Sequence, residues 1–235
     1  MFLKRIYFVL VCILAFQPLR AAETDILPIA KISELVEFSG TTAPNIWILS
    51  TPVNLQTHAP NFGKSPSELT EVRMGYDDKY LWVFARLHYT DPSKIVSTSK
   101  KRDEESRNSD SFGIILDTYD DNESGLAFFT TPSGQRIDYA ISNDANFRPS
   151  PTGNTALNYS WNTFWDVKTA PIADGWSVEM RIPFSSLRFQ EKDGKIKMGL
   201  ILNRSISHCN ELDTYPEIDP KYGLFAAVKP SLAQT

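Results

Sequence analysis

Three acidic residues fall on stretches that read as strands: Asp110, Asp117 and Glu179. Two carboxyl groups facing each other across a cleft at roughly 5 to 10 Å would cleave a glycosidic bond. A chain with 28 acidic residues offers many such pairs, and spacing alone brings no two together. The run "LDTYDDNESG" gathers Asp117, Asp120, Asp121, Asn122 and Glu123. Oxygen ligands of that kind suit calcium, but the spacing and the glycine of an EF-hand loop are absent. A plain hairpin turn accounts for the same residues. His58, His88 and His208 are far apart and lack the spacing of a zinc site. "NFGKSPS" contains Gly63-Lys64-Ser65, yet His58 stands where a phosphate loop needs its first glycine. No Gly-x-Ser-x-Gly nucleophile turn is present.

The tryptophans remain. "WNTFWDVKTAPIADGWSVEMRIPF", Trp161 to Phe184, holds three of the five. An indole is costly to expose, and it also stacks on the apolar face of a sugar ring. Which role each plays depends on the element that carries it.

Those elements are short strands. "TEVRMGY" and "YLWVFARLHY" flank the polar turn Asp77-Asp78-Lys79; "SFGIILDTY" returns through "DDNESG" into "LAFFTT". "TFWDVKT" and "WSVEMRI" pair around Ala173-Asp174-Gly175, and "MGLILNRSI" is a further strand. No segment keeps a helical period over 11 or more residues, and only "FSSLRF" reads as a helical turn. Residues 23 to about 66 carry Pro28, Pro44, Pro52, Pro60 and Pro66 and read as loop-rich. "STSKKRDEESRNSD", Ser97 to Asp110, reads as a solvated connection. The pattern predicts an all-β fold, an antiparallel β-sandwich, jelly-roll-like, in a single domain.

On such strands most of the indoles are spoken for. Trp176, Val178, Met180 and Ile182 alternate with Ser177, Glu179 and Arg181, which sends Trp176 to the core. Trp165 alternates with Val167 on the partner strand and is expected in the core as well. Trp82 shares a face with Tyr80 and Phe84, opposite Leu81, Val83, Ala85 and Leu87, so it faces outward or lies under a second layer. Trp47 is expected to pin down a leading segment. Trp161 differs: it follows the loop "SPTGNTALNYS" and precedes the strand proper, the place where a sandwich displays binding residues.

The chain has 235 residues and a net charge of −4, which argues against a nucleic-acid partner. It opens with Lys4 and Arg5, an apolar run from Ile6 to Phe16, Pro18 and the small pair Ala21-Ala22. That order reads as a signal peptide over residues 1–22, with the domain in 23–235, exported to the periplasm, the outer membrane or the medium. The apolar run is shorter than the roughly 20 residues a bilayer span requires, and no transmembrane segment is expected in the mature chain. Without residues 1–22 only Cys209 is left, so no internal disulfide is expected and the domain must rest on its core.

Taken in order, "SELTEVRMGYDDKYLWVFARLHYTDPSKI", "RDEESRNSDSFGIILDTYDDNESGLAFFTTPSGQRIDY", "WNTFWDV" and "GWSVEMRIPFSSLRF" resemble carbohydrate-binding module family 9, from about Ile32 to Phe225. The likeness is to the form that precedes outer-membrane β-barrels in bacterial envelope proteins. The resemblance implies a β-sandwich, binding of a polysaccharide or oligosaccharide, a role in carbohydrate catabolism, an outer-membrane partner and, in some members, bound calcium. Sugar-binding members hold the saccharide between two tryptophans. One lies three residues before an Asp-Ser, the other two before an Asp-Pro; here Arg107 and Glu217 stand in those places. Both can hydrogen-bond hydroxyls, and a guanidinium can stack. The expected ligand site is therefore polar and shallow, formed by Trp161, Arg107, Asn203 and Glu217, with no catalytic residue. The rival expectations are a structural or assembly domain of the envelope, and a glycoside hydrolase or a fragment of one.

Overall fold

Alternating runs become strands because β-branched and aromatic residues suit a pleated, half-buried surface. The computed structural model describes residues 26–48, 52–104, 108–142, 156–192, 194–222 and 230–234. The signal-peptide expectation therefore lies outside the described residues.

Two sheets face one another across a common core. The first carries β5 (Ser111–Asp117), β6 (Gly125–Thr130), β7 (Ile137–Ile141) and the short β8 (Leu157–Asn158) on one flank of β12 (Lys195–Ile206). On the other flank lie β13 (Glu211–Tyr215), with β2 (Gln56–Ala59) beyond it, and β14 (Pro230–Gln234). The second sheet runs β1 (Leu27–Lys31), β3 (Thr70–Tyr76), β4 (Tyr80–His88), β10 (Gly175–Pro183), β9 (Asp166–Ile172). Pairing is antiparallel except at β1, which runs parallel to both β14 and β3 and joins the two layers along one side. A hairpin strand, β11 (Glu191–Lys192), leads into β12. The fold is an antiparallel-rich β-sandwich.

The hairpins fall where the polar turns predict them, and Phe184–Ser186 is a 3-10 turn. The leading segment is less loop-like than its prolines imply. It contains β1, β2 and a one-turn helix, Pro44–Trp47, with proline at the helix start, where its missing N–H costs nothing.

Between the layers lie Phe112, Ile114, Leu116 and Phe128 from the first sheet and Val83, Leu87, Trp176, Val178, Met180 and Ile182 from the second. Trp165, 2% exposed, completes this core. Each such side chain contributes roughly 1.5–3 kcal/mol of burial. The outward faces are covered too. Ile115, Ala127, Phe129, Tyr139, Ile201 and Ile218 form a second cluster on the first sheet. Trp82 and Phe84 on the second sheet lie beneath Ile32, Ile46 and Trp47 of the leading segment. Trp82 thus faces a second layer, and Trp47 holds that layer down.

Candidate functional site

Among the described residues, Trp161 stands half-buried at an open edge between the layers. The stretch that carries it is held from below by Asp138, a fully buried residue of β7. Asp138 accepts hydrogen bonds from the Thr163 amide (2.9 Å), the Trp165 indole (3.2 Å) and Arg102 (2.6 Å). The same arginine donates to the Asn162 side chain and ties that end of the stretch as well. The segment Ser97–Asp110 is therefore more than a solvated connection: through Arg102 it braces the entry to β9. Trp161 itself meets Phe128 edge-on at 6.0 Å, with Phe128 rooted in the core.

So anchored, Trp161 lines a surface pocket of about 360 Å³ together with Tyr119, Leu126, Ser186 and Arg188. Thr118 and Ser124 add hydroxyls from the β5–β6 turn. The volume lies at the small end of the range for small-molecule sites. Tyr119 is 41% exposed, and Phe164, whose carbonyl accepts from the Ser186 hydroxyl, is 86% exposed. An aromatic wall, a guanidinium and hydroxyls on one rim can stack on an apolar ring and bond its polar edge.

Asn203 and Glu217 stand elsewhere. Asn203 pairs with Gly113 on one side and Thr214 on the other, and it shares the outward face with Ile201. Trp161 belongs to the opposite, inward face and lies against β6, two strand spacings (about 9.5 Å) from β12. The tertiary structure thus does not bring Trp161 to Asn203. Asn203 is 3% exposed, and neither its Nδ2 nor the neighbouring Thr214 hydroxyl has a partner among the described residues. Gly113 is required beside them, because a Cβ there would sit 2.2 Å from the Phe129 ring. Glu217 is exposed, with Oε1 near Gly63, next to Ile218, whose carbonyl meets His58 Nδ1 at 3.0 Å. Arg107 lies outside the described residues.

The acidic residues on strands are occupied. Asp110 accepts from the amides of Val96 (2.7 Å) and Ser207 (2.8 Å) and is fully buried. Asp117 accepts from the amides of Tyr119, Asp121 and Asn122; burial raises its carboxyl above the ordinary range, against the pull of those amides. These two bracket β5 and are about 20 Å apart along the strand, beyond the separation a glycosidase pair uses. Glu179 lies on the outward face of the other sheet, where Oε2 accepts from the Ser39 and Gly40 amides. In the acidic turn, Asp120 and Asn122 take left-handed conformations, and Asp121 accepts from Glu123 and Ser124. Among the described residues no group of three or more His, Cys, Asp or Glu side chains converges as a metal site.

Solved structures share this architecture. A family 9 carbohydrate-binding module from Caldicellulosiruptor kristjanssonii, in complex with glucose, superposes with a TM-score of 0.57 at 15% identity, over 90% of this chain and 97% of that one. Its complex with cellotriose gives 0.52 at 17% identity, over 90% and 93%. The fold is similar to that of a family 9 carbohydrate-binding module. A candidate carbohydrate-binding protein from Bacteroides uniformis gives 0.61 at 9% identity, over 90% and 99%. No family model matches the chain, and no curated protein matches it.

Of the pocket's residues, the sequence pattern singles out Trp161 but not its companions. Tyr119 and Arg188 come from a hairpin turn and from the turn after β10, and no motif links them to Trp161. Asp138 was also missed, although a lone acid in the strand "IDYAI" is a signal of a buried, bonded carboxyl.

Proposed function

We propose that this protein is an exported carbohydrate-binding module that holds its ligand non-catalytically in the Trp161 pocket. The observation that carries the reading is the pocket's lining: Trp161 and Tyr119 supply aromatic surface, Arg188 supplies donors, and the Ser124 and Ser186 hydroxyls, which donate to Asp121 and to the Phe164 carbonyl, are left to accept. Sugar rings call for that combination. The saccharide complexes of the structural neighbours support the same ligand class. Residues 1–22 support export, and the likeness to modules that precede outer-membrane barrels supports an envelope location and a link to polysaccharide use. Affinity is weak, since the pocket is small and each hydrogen bond to a hydroxyl replaces one to water.

A glycan array with the protein beside Trp161→Ala and Tyr119→Ala tests this reading. Both substitutions lower binding by about tenfold, the loss of one stacked ring. Absence of any glycan bound at millimolar ligand overturns it. Binding unchanged in both variants overturns the Trp161 pocket and moves the site towards Asn203 and Glu217, and Asn203→Ala then carries the loss.

A further inference from the structure

We infer that the Trp161 pocket selects acidic saccharides, those with a carboxylate on the ring, through Arg188; this rests on the carbohydrate reading of the pocket. The first observation is that, among the described residues, Arg188 is free where several other arginines are engaged. Arg102 bonds Asp138, Arg136 the Trp165 carbonyl, Arg181 Asp166, and Arg204 the carbonyls of Leu69 and His88. Arg73 and Arg86 lie over the Trp47 ring. Arg188 is exposed at the rim of the pocket and has no carboxyl, carbonyl or ring partner among the described residues.

The second observation concerns the acids that could neutralise it. Among the described residues no carboxyl lines the pocket. Of those in the adjoining turn, Asp117 is committed to three amides of that turn. Asp121 is committed to the amides of Glu123 and Ser124 and to the Ser124 hydroxyl, and Asp120 pairs with Lys197 at 3.2 Å; Glu123 is exposed and makes no ion pair with Arg188 among the described residues. The third is rigidity. Arg188 follows Leu187, which is buried and closes the 3-10 turn onto Phe184, and precedes Phe189, which packs edge-on against Phe184. The cation is thus carried on a fixed turn at the pocket's edge.

A pyranose ring laid on Trp161 or Tyr119 would turn its equatorial substituents to the rim. A guanidinium there binds a carboxylate through two parallel hydrogen bonds, and a hydroxymethyl group through one at most. Charge-assisted hydrogen bonds are the stronger kind, and the difference sets the selectivity.

Calorimetry on the full chain tests this with two probes, cellotriose and the same trimer oxidised to the carboxylate at C6. The acidic trimer binds about tenfold tighter at low ionic strength, and high salt narrows the gap. Arg188→Gln brings the two ligands to within about twofold, and Arg188→Lys restores only part of the preference, since an ammonium lacks the planar fork. Circular dichroism of both variants matches the parent, because the side chain is exposed. Equal affinities in the unmodified protein, or a preference that survives Arg188→Gln, overturn the inference and leave carbohydrate binding standing. If neither trimer binds, the carbohydrate reading of the pocket falls, and the inference with it.

Discussion

Two regions of this molecule combine tryptophan with arginine, and they end differently. On the outward face of the second sheet, Arg86 lies 4.0 Å and Arg73 5.0 Å from the Trp47 ring, while Arg181 lies 4.4 Å from that of Phe38. The chain itself closes this face: residues 32–48 cross it, and Glu179 fastens them through the Ser39 (2.8 Å) and Gly40 (2.7 Å) amides. Gly40 can approach so closely only without a side chain, since its φ is +92° and a Cβ would meet the Thr169 backbone at 3.1 Å. At the open edge, Trp161 and Arg188 have no such cover among the described residues. Composition is the same in both places. What separates a structural aromatic–cation cluster from a candidate binding site is whether a segment of the chain occupies the cation.

The largest effect that sharpens this contrast is in the pair Trp165 and Trp161. Trp165→Ala removes a buried indole and one of the three donors to Asp138, and costs about 3–5 kcal/mol in urea unfolding. Trp161→Ala costs about 1–2 kcal/mol, since its ring is half-buried and touches the core chiefly through Phe128. Comparable losses at both positions would break the distinction between closed and open regions.

The closed interior also has a signature in pH. Asp213 on β13 is fully buried, with neither carboxyl oxygen partnered among the described residues. Burial first, and the nearby Glu211 charge second, outweigh the pull of Thr57 and Arg204 and push its carboxyl up to about 7. The folded state then holds a proton that the unfolded chain releases near pH 4, so stability falls as pH rises from about 4 to about 7 and is level above that. At roughly 1.4 kcal/mol for each unit, the window spans a few kcal/mol. Asp213→Asn removes the slope and stabilises the protein above pH 7, as denaturant midpoints across the range would show. A slope of the opposite sign would refute the assignment.

A smaller effect probes the strap directly. Glu179→Ala leaves two amides without their acceptor and costs about 2 kcal/mol. Limited proteolysis within residues 32–48 accelerates, and indole emission shifts to the red as Trp47 and Trp82 meet water. The glycan binding proposed at Trp161 stays unchanged. Loss of that binding would mean that the two regions are coupled.

Much of the fold was legible because alternation survives wherever one strand face meets the core. "GWSVEMRIPF" shows it: Trp176, Val178, Met180 and Ile182 are all in the core. Where the buried residues are polar, the signal vanishes. Strand β13 buries Glu211, Asp213 and Thr214, and its "ELDTY" carries no hydrophobic pattern. β1 was invisible for another reason: its partners β14 and β3 lie at the far end of the chain and across a proline-rich stretch. At the candidate site, Trp161 could be singled out by its position after a turn-rich loop. Tyr119 and Arg188 could not, because an exposed tyrosine in a turn and an exposed arginine after a strand are ordinary until a fold sets them side by side.

The sequence by itself determined the strands with one apolar face, the hairpins between them and the burial of Trp165 and Trp176, because these follow from local periodicity and turn chemistry. Tertiary structure decided the rest. It placed Asn203 and Trp161 on opposite faces of one sheet, turned Arg102 from a loop charge into the brace of Asp138, and closed Trp82 beneath a segment far from it in sequence. It also left Arg188, among the described residues, without a partner at the rim of a pocket. Such outcomes depend on which distant segments meet, and no local pattern encodes that; they are set by how two sheets and their covering segments close around the core.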